Sequence, residues 1–469
     1  MKKKINHILP ALVLTASLGL TTVSCNGFLD EMPDNRTELN TDQKIAKLLV
    51  SAYADVSPNE LFELYSDNSD DSGPTYGYYK LSEQECYHWQ DTKEEYQDTP
   101  NSLWGGYYSA IAAANMALNA IEEKGNPASL DPQRGEALVC RAYCHFMLAN
   151  IFCNAYDTHA SQSLGVPYME EVETTVSPRY ERGTLEEVYR KVERDLLEGI
   201  DLISDDSYSV PKYHFTRKAA YAFAARFYLY YMKPDFSNCD RVIDFATRVL
   251  GTNPADLLRN WEALGNLSVN GNVQADAYIA SSNEANLLIS STVSNWGAIG
   301  SDYLIGPRYF HNQTLATSET CLSSGLWGSS DYFYLKPFST NGFVASILRK
   351  SGLYEGTYLY YMPVLFSTDE TLLCRAEAYA LKKMYAQSAA DITSWQRAYT
   401  RNKSVLTPEQ INTYYDKMSF YTPFTQQTPK KKLAPDFMIE EGMQENFIHC
   451  ILHIRRITTL HEGMRWPDI

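Results

Sequence analysis

A series of helix-length segments with apolar residues at three- and four-residue spacing constrains the fold of this chain more than any other feature. That spacing places the apolar side chains on one face of an α-helix, and such a face must be buried against another element. The segments predict helices over 44–56, 102–123, 132–153, 185–203, 216–232, 239–250, 368–384, 387–399 and 448–466. We therefore expect a mainly α-helical protein with little β structure.

Local signals mark several of the predicted helix ends. Gly125 and Pro127 follow the second segment, where they end a helix. Thr184 is followed three residues later by Glu187, which is a capping-box signal for a helix that begins at residue 185. Pro234 separates two further segments into a close pair. The helices are thus predicted to come in pairs joined by short breaks.

The segment 216–232 shows how these pairs are expected to pack. It carries alanines beside Tyr221 and Phe227. Small residues let two helices approach closely, while aromatic rings fill the grooves between pairs. The pairs resemble tetratricopeptide-type units, although the strict repeat signature is absent. Core packing accounts for most of the aromatic and alanine positions.

The N-terminus has the organisation of a secretory signal peptide. Three lysines precede the apolar run 8–20, which is too short to cross a bilayer core that needs about 20 helical residues. Small polar residues then lead to Cys25. This pattern resembles a bacterial lipobox with Thr22 where Leu is usual, so we expect residues 1–24 to be removed and Cys25 to be acylated. Ordinary signal cleavage beside an unmodified cysteine is the alternative.

Charge and composition limit the partners and the domain organisation. The formal net charge is −16, which argues against nucleic acid or an anionic membrane surface as a partner. It favours neutral or cationic ligands over polyanionic ones. Hydrophobic residues make up 44% of the chain, as in a folded globule. We expect regions 25–250 and 251–469 to pack as one globular unit, without a cofactor.

The cysteines admit two structural interpretations. Eight of the nine cysteines follow Cys25, and an even number in an exported chain invites a disulfide framework. A chain of this length can build a core without such bonds, so we expect most of the thiols to be small buried groups. A zinc site at Cys140, Cys144 and His145 is the sharper alternative, but no second cysteine or histidine pair completes it.

Two regions without helical periodicity, 64–100 and 260–363, are the expected binding surface. They are rich in Gly, Ser, Asn and aromatic residues, and loops on a rigid scaffold commonly carry binding sites. Aromatic rings can stack on a sugar or a peptide side chain, while carboxylates and amides fix its orientation. The candidate ligand-binding residues are Asp67, Asn68, Asp71, Tyr76, Tyr78, Tyr79, Trp89, Trp296, Tyr303, Trp327 and Tyr332.

Each candidate also has a structural alternative. Aromatic residues in long loops can form small satellite cores instead of a binding surface. Asp67, Ser69 and Asp71 alternate as in a calcium-binding loop, but Gly73 comes one position late and Tyr78 stands where a bidentate Glu is needed. A solvated turn explains the acidic run without a metal, so no metal site is predicted there.

Stretches along nearly the whole mature chain resemble the SusD/RagB family. Trp104, Tyr108 and Ile111 with Ala114-Asn115 are similar to the family's W-x-x-x-Y-x-x-I-x-x-A-N helix. Other stretches resemble its motifs in the expected order, at 28–33, 66–71, 135–146, 165–168, 184–197, 216–228, 370–379 and 461–468. The last of these is close to E-G-x-R-W-x-D. The chain departs from the family at 454–461, where an acidic residue is usual, and it ends directly after the last motif.

The resemblance implies a function as well as a fold. Family members are helical proteins with four tetratricopeptide-like pairs that sit as a lid over a SusC-like TonB-dependent transporter. The resemblance implies a lipid-anchored protein on the outer-membrane surface that captures an oligosaccharide for import without catalysis. Within the variable loop, the family's stacking aromatics carry over only to Tyr76, Tyr78, Tyr79 and Trp89 as a group.

Three other functions remain open from sequence. The RagB branch of the family binds peptides. A glycoside-active enzyme needs only two suitably spaced carboxylates, although the chain contains no G-x-S-x-G, H-E-x-x-H, P-loop or G-x-G-x-x-G motif. A pure protein-binding scaffold would share the helical fold, and convergence of the aromatic loops would distinguish a ligand-binding protein from it.

Overall fold

The computed structural model describes residues 39–76, 79–175, 178–268, 273–299, 308–335, 338–340, 343–345, 352–355 and 358–469. Residues Asp42–Ile469 form one compact unit. Within the described ranges, none of the helices combines the length and the apolar character needed to cross a bilayer.

Helices dominate the described chain, as the apolar periodicity predicts. Their bounds are α1 Asp42–Leu49, α2 Asn59–Tyr65, α3 Leu81–Tyr87, α4 Pro100–Glu123, α5 Asp131–Phe152, α6 Leu185–Leu202, α7 Arg217–Tyr230, α8 Asn238–Leu250, α9 Trp261–Gly265, α10 Val273–Ile279, α11 Trp296–Ile299, α12 Gln313–Glu319, α13 Thr368–Leu381, α14 Tyr385–Tyr399, α15 Pro408–Lys417 and α16 Met443–Thr458. The predicted capping box is present, since the Glu187 amide donates to Thr184 Oγ1 at 3.2 Å and the Thr184 amide to Glu187 Oε2 at 2.9 Å.

Consecutive helices pack as pairs, and buried ion pairs join neighbouring helices. Helix α5 packs on α4 and α6, α7 on α8, and α13 on α8, α14 and α16. The arginines of three family-like motifs each reach a carboxylate on another helix: Arg141–Asp195 at 2.6 Å, Arg226–Glu370 at 3.0 Å and Arg375–Asp391 at 2.8 Å. A buried charge is costly unless it is paired, so each bond favours one alignment of its two helices.

The final helix is shorter than predicted. The sequence predicts helix to residue 466, but α16 ends at Thr458. His461 and Gly463 then adopt positive φ angles of 66° and 72°, which a continuing α-helix cannot contain. The Gly463 amide donates to Glu63 Oε1 at 3.0 Å, so this turn is fixed against α2.

Short strands cross the region expected to be irregular. They are β1 Asp70–Asp71, β2 Asn286–Ile289, β3 Thr292–Val293, β4 Tyr309–Phe310, β5 Phe338–Thr340, β6 Phe343–Ala345, β7 Gly352–Glu355, β8 Tyr358–Tyr361 and β9 Val364–Ser367. All pair antiparallel, as β1 with β4, β2 with β9, β5 with β6, and β8 with both β3 and β7. They join distant parts of this region to one another.

All eight cysteines in the described residues are free thiols. Seven are buried and Cys153 is half-buried. The expectation that most are small buried groups is confirmed. His145 does not complete a zinc site with Cys140 and Cys144, because its Nδ1 bonds the Arg141 carbonyl at 2.9 Å and its Nε2 accepts from the Met169 amide at 3.0 Å.

Candidate ligand-binding site

The two aromatic-rich regions meet at a strand pair. Strand β1 pairs antiparallel with β4, with Asp70 opposite Phe310 and Asp71 opposite Tyr309. The Ser72 amide extends the pairing by donating to the Arg308 carbonyl at 2.9 Å. Residues that are more than two hundred positions apart in sequence thus form one surface. This convergence is the feature expected of a ligand-binding protein rather than a pure scaffold.

We define the aromatic patch as Tyr79, Tyr87, His88 and Tyr309 with the ion pair Arg308–Asp71. The ring of Tyr309 lies at its centre, stacked on Tyr87 with centroids 4.7 Å apart. Tyr79 and His88 meet the same ring edge-on, at 5.7 and 5.9 Å. Tyr309 is buried by these neighbours, whereas Tyr79 and His88 are exposed and Tyr87 is half-buried. The patch therefore offers fixed rings to solvent.

The Arg308–Asp71 pair supplies the polar part of the patch. Arg308 Nε and Nη2 donate to the two Asp71 oxygens, each at 2.7 Å. The guanidinium also lies over the rings of Tyr79 and Tyr309, 5.3 and 5.0 Å from their centroids. The hydrogen bond from Arg308 lowers the pKa of Asp71, so the carboxylate is ionised at neutral pH. Fork-like pairing fixes both groups while the side chains stay half-exposed.

A cleft of about 1040 Å³ begins beside the aromatic patch. Its lining includes Tyr65, Tyr87 and Trp89, together with Tyr156 and Tyr421 farther along. Trp89 is 70% exposed, and its Nε1 donates to the Tyr65 carbonyl at 3.3 Å. Its φ of 52° is unusual for a bulky residue. Because Tyr87 belongs to both the patch and the cleft, the two form a continuous aromatic surface.

Asp67 lines the cleft, but its carboxylate is already paired with basic side chains. Arg465 Nε and Nη2 donate to its oxygens at 2.6 and 2.9 Å, and Lys431 Nζ donates at 2.5 Å. Burial alone would raise the pKa of Asp67, but the charges of Arg456 and Arg465 hold it well below its usual range. Asp67 is therefore an anchor between the cleft wall and the segment after α16.

Asn68 is corrected from ligand contact to internal support. It is 1% exposed, its Nδ2 donates to Glu63 Oε2 at 3.0 Å, and its Oδ1 accepts from Arg456 Nε at 2.7 Å. Because the side chain is buried, its second N–H and second lone pair are not presented to a ligand in the cleft. The calcium-binding alternative is also disfavoured, because the carboxylates of Asp67 and Asp71 already form ion pairs with arginines.

Two of the predicted stacking tryptophans are core residues. Trp327 is 0% exposed and packs on Phe333 and Trp395, with centroids 5.3 and 5.8 Å away. Trp296 is 7% exposed in a cluster with Phe310 and donates from Nε1 to the His461 carbonyl at 2.8 Å. Neither presents a ring face to solvent, so both assignments as ligand contacts are wrong.

The remaining candidate residues differ in exposure, and some lie outside the described residues. Tyr76 is half-buried in the turn after Gly73. Tyr332 is 44% exposed, but it lies against Gly328 and its carbonyl accepts from the Arg401 amide at 2.7 Å, outside the patch. Tyr78, Tyr303 and the acylation candidate Cys25 lie outside the described residues.

A family model matches a segment of somewhat less than half of the chain. Residues 27–229 match SusD-like_3, described as starch-binding associating with outer membrane. The solved structures that resemble this fold over nine-tenths of the chain are also SusD-like. Residues 27–229 thus have a SusD-like sequence, and the described chain has a SusD-like fold. A search of curated proteins found no match.

Three SusD-like structures illustrate the likeness. A SusD-like carbohydrate binding protein from Bacteroides vulgatus is 14% identical, with a TM-score of 0.59 over 91% of this chain and 82% of its own. A SusD superfamily protein from Bacteroides fragilis is 16% identical, with a TM-score of 0.59 over 92% and 90%. Surface glycan-binding protein A from Bacteroides uniformis is 16% identical, with a TM-score of 0.55 over 91% and 87%. These values establish a shared fold.

Several members of the candidate site were not predicted from the sequence. Arg308 and His88 carry no motif, and Tyr87 and Tyr156 were not distinguished from the many other tyrosines. The available signal was position, since Tyr87 and His88 directly precede Trp89 and Arg308 precedes Tyr309. Only the β1–β4 pairing shows which of these neighbours face the same surface.

Proposed function

We propose that this SusD/RagB protein is a lipid-anchored surface protein that binds an oligosaccharide at the aromatic patch. It then presents the ligand to a SusC-like TonB-dependent transporter and performs no chemistry on it. The family description, starch-binding associating with outer membrane, supports both the ligand class and the location. The names of the carbohydrate-binding and glycan-binding structural relatives support the same ligand class. Acylation at Cys25 would provide the anchor.

The continuous aromatic surface carries this proposal. Tyr79 and His88 expose rings on the patch, Tyr87 joins the patch to the cleft, and Trp89 extends the surface along the cleft rim. The C–H faces of sugar rings stack on such surfaces because both partners are flat and apolar there. A row of rings suits a chain of sugars rather than a single monosaccharide.

The Arg308–Asp71 pair complements the rings. Sugar hydroxyls both donate and accept hydrogen bonds, and this pair offers a guanidinium donor beside a carboxylate acceptor. Its bidentate geometry fixes both groups before a ligand arrives, which reduces the entropy lost on binding.

The two acidic residues predicted as ligand contacts, Asp67 and Asp71, support a non-catalytic role. A glycosidase needs one carboxyl group with a raised pKa to act as the general acid. Asp71 and Asp67 both have lowered pKa values, because arginines hold them in the ionised form. They are suited to hydrogen bonding and structural pairing rather than to proton donation.

Ligand binding tests the proposal directly. The full-length chain in non-ionic detergent is titrated by calorimetry with neutral oligosaccharides, uronic-acid oligosaccharides and a mixed peptide library. We expect saturable binding of a neutral oligosaccharide and weakening by about fivefold or more in Trp89→Ala and Tyr79→Ala, corresponding to about 1 kcal/mol per lost stacking contact.

Tyr332→Ala is the matched control, because Tyr332 is similarly exposed but lies outside the patch. It should bind as the wild-type chain does. Equal affinities for all four proteins would contradict the assignment of the patch. Binding of peptides alone would indicate a RagB-like function, and release of cleaved sugar would show an enzyme.

A further inference from the structure

Three potential metal ligands from two chain segments meet at the edge of the cleft. Asp157 and His159 lie in the loop after α5, and Asp436 lies in the segment before α16. Each offers one ligand atom, and these atoms all lie within 4.8 Å of one another. Asp157 and Asp436 also line the cleft. Among the described residues, this is the one group of three with such geometry.

Backbone amides already orient both carboxylates. Asp436 Oδ2 accepts from the Thr158 amide at 2.6 Å, and Asp157 Oδ1 accepts from the His159 amide at 2.8 Å. The hydrogen bonds from Thr158 lower the pKa of Asp436, so this carboxylate is ionised at neutral pH. The side chains themselves remain exposed or half-exposed, and small rotations can bring the ligand atoms closer.

The charges at this group are not balanced by a strong base. Asp157 lies 3.6 Å from His159 Nδ1, which is charged only when protonated. Within the described residues, neither aspartate forms an ion pair with lysine or arginine. Two carboxylates held this close repel each other unless a cation lies between them. A divalent ion would supply that charge and use the neutral imidazole as a ligand.

We propose that Asp157, His159 and Asp436 bind a divalent transition-metal ion of the Zn²⁺ class. One imidazole nitrogen with two carboxylate oxygens suits Zn²⁺, which binds such atoms at about 2 Å, whereas Ca²⁺ prefers oxygen ligands alone. Three protein ligands leave a fourth position for water or a ligand group. The ion would tie the loop after α5 to the segment before α16 at the cleft edge. This inference does not depend on glycan binding.

Calorimetric titration with ZnCl₂ tests the site in the full-length chain, after chelator treatment and buffer exchange at about pH 7.5. We expect one Zn²⁺ per chain with micromolar affinity. His159→Ala and Asp436→Asn should each weaken binding by about tenfold or more, because each removes a ligand.

Asp206→Asn serves as the matched control, since Asp206 is an exposed aspartate elsewhere on the surface. It should leave the Zn²⁺ affinity unchanged. The assignment is wrong if the wild-type chain takes up no Zn²⁺, or if the His159 and Asp436 variants bind it as tightly as wild type. Ca²⁺ binding as tight as Zn²⁺ binding would also overturn it, because the imidazole would then contribute nothing. Circular dichroism of each variant verifies that the chain is folded.

Discussion

The half-buried carboxylate of Asp67 and the buried carboxyl group of Glu60 differ in how their charge is compensated. Asp67 is surrounded by arginines and a lysine, which keep it ionised. Glu60 faces Asp98 and Glu83, while its cationic neighbour Lys80 is 3.9 Å away. Burial and then the charge of Asp98 raise the pKa of Glu60 well above its usual value. Glu60 is thus expected to retain a proton where Asp67 does not.

Replacement of Glu60 tests this difference. A carboxyl group whose pKa is raised by folding binds more protons in the folded state, so stability falls as pH rises above the unfolded value of 4.5. Glutamine cannot ionise, so the Glu60→Gln variant does not lose stability in this way as the pH rises. We expect Glu60→Gln to be more stable than wild type at neutral pH by about 1 kcal/mol, with the difference shrinking towards about pH 4.5.

Urea midpoints measured at several pH values between these limits provide the readout. Glu441→Gln is the control, because Glu441 is exposed and its substitution should leave the pH dependence of stability unchanged. Parallel pH profiles for Glu60→Gln and wild type would show that Glu60 is ionised in the folded protein.

The exposure of single aromatic residues depends on packing that the local sequence does not reveal. Trp89 and Trp327 both lie in loop regions rich in Gly and Ser, and the sequence gives them the same character. In the structure Trp89 is 70% exposed and Trp327 is 0% exposed. The difference arises because Phe333 and Trp395 cover Trp327, and these contacts are not encoded by its sequence neighbours.

At the scale of helices, close packing of α5 and α6 depends on glycine. A Cβ on Gly135 would lie 2.8 Å from the Gly199 carbonyl oxygen and 2.8 Å from the Ile203 amide nitrogen. These are backbone atoms, so the helices would have to separate to make room. The Arg141–Asp195 ion pair joins the same two helices and would be disturbed by that movement.

Gly135→Ala should therefore destabilise the protein despite the higher helix propensity of alanine. We expect a loss of about 1 to 3 kcal/mol in the free energy of unfolding, as for other overpacked cores. Gly105 offers a matched control within α4, because its Cβ would meet nothing within 4 Å. Gly105→Ala should stabilise by about 0.5 to 1 kcal/mol. Urea unfolding of both variants provides the comparison, and a stabilising Gly135→Ala would contradict the close contact.

Helix positions were predicted well because their signals are local. Apolar periodicity located α4 to α8, α13 and α14 within a few residues, and the Thr184 capping box fixed the start of α6. The prediction of the final helix was wrong at its C-terminal end, where Leu460, Met464 and Trp466 continue a helix-like apolar spacing. There the contact of Gly463 with Glu63, four hundred residues earlier, favours a turn over another helical residue.

At the scale of the whole molecule, the core buries seven of the eight thiols in the described ranges. Burial is the largest cause that raises the pKa of Cys86, Cys239, Cys321 and Cys450 to about 12, so these groups remain protonated and unreactive in the folded chain. Cys153 is the half-buried exception. The fold is expected to hold without disulfide bonds.

Thiol labelling tests both the burial of the free thiols and the acylation of Cys25. Mass spectrometry after N-ethylmaleimide treatment should show no label, or Cys153 alone, in the folded chain. In urea we expect eight labels with or without prior reduction, one for each free cysteine. A ninth label would show that Cys25 is not acylated. Fewer than eight before reduction, restored to eight by reductant, would reveal a disulfide bond.

Sequence alone determined the helical class, the resemblance to SusD-like proteins and the regions that contain the candidate site, because periodicity, caps and short motifs depend on neighbours within a few residues. It did not determine the site itself. Arg308 and Asp71 are 237 positions apart, and their pairing follows from the β1–β4 register. Tertiary structure alone decided which carboxylates meet arginines and which rings face solvent, because burial and charge compensation depend on segments that are distant in sequence and adjacent only after folding.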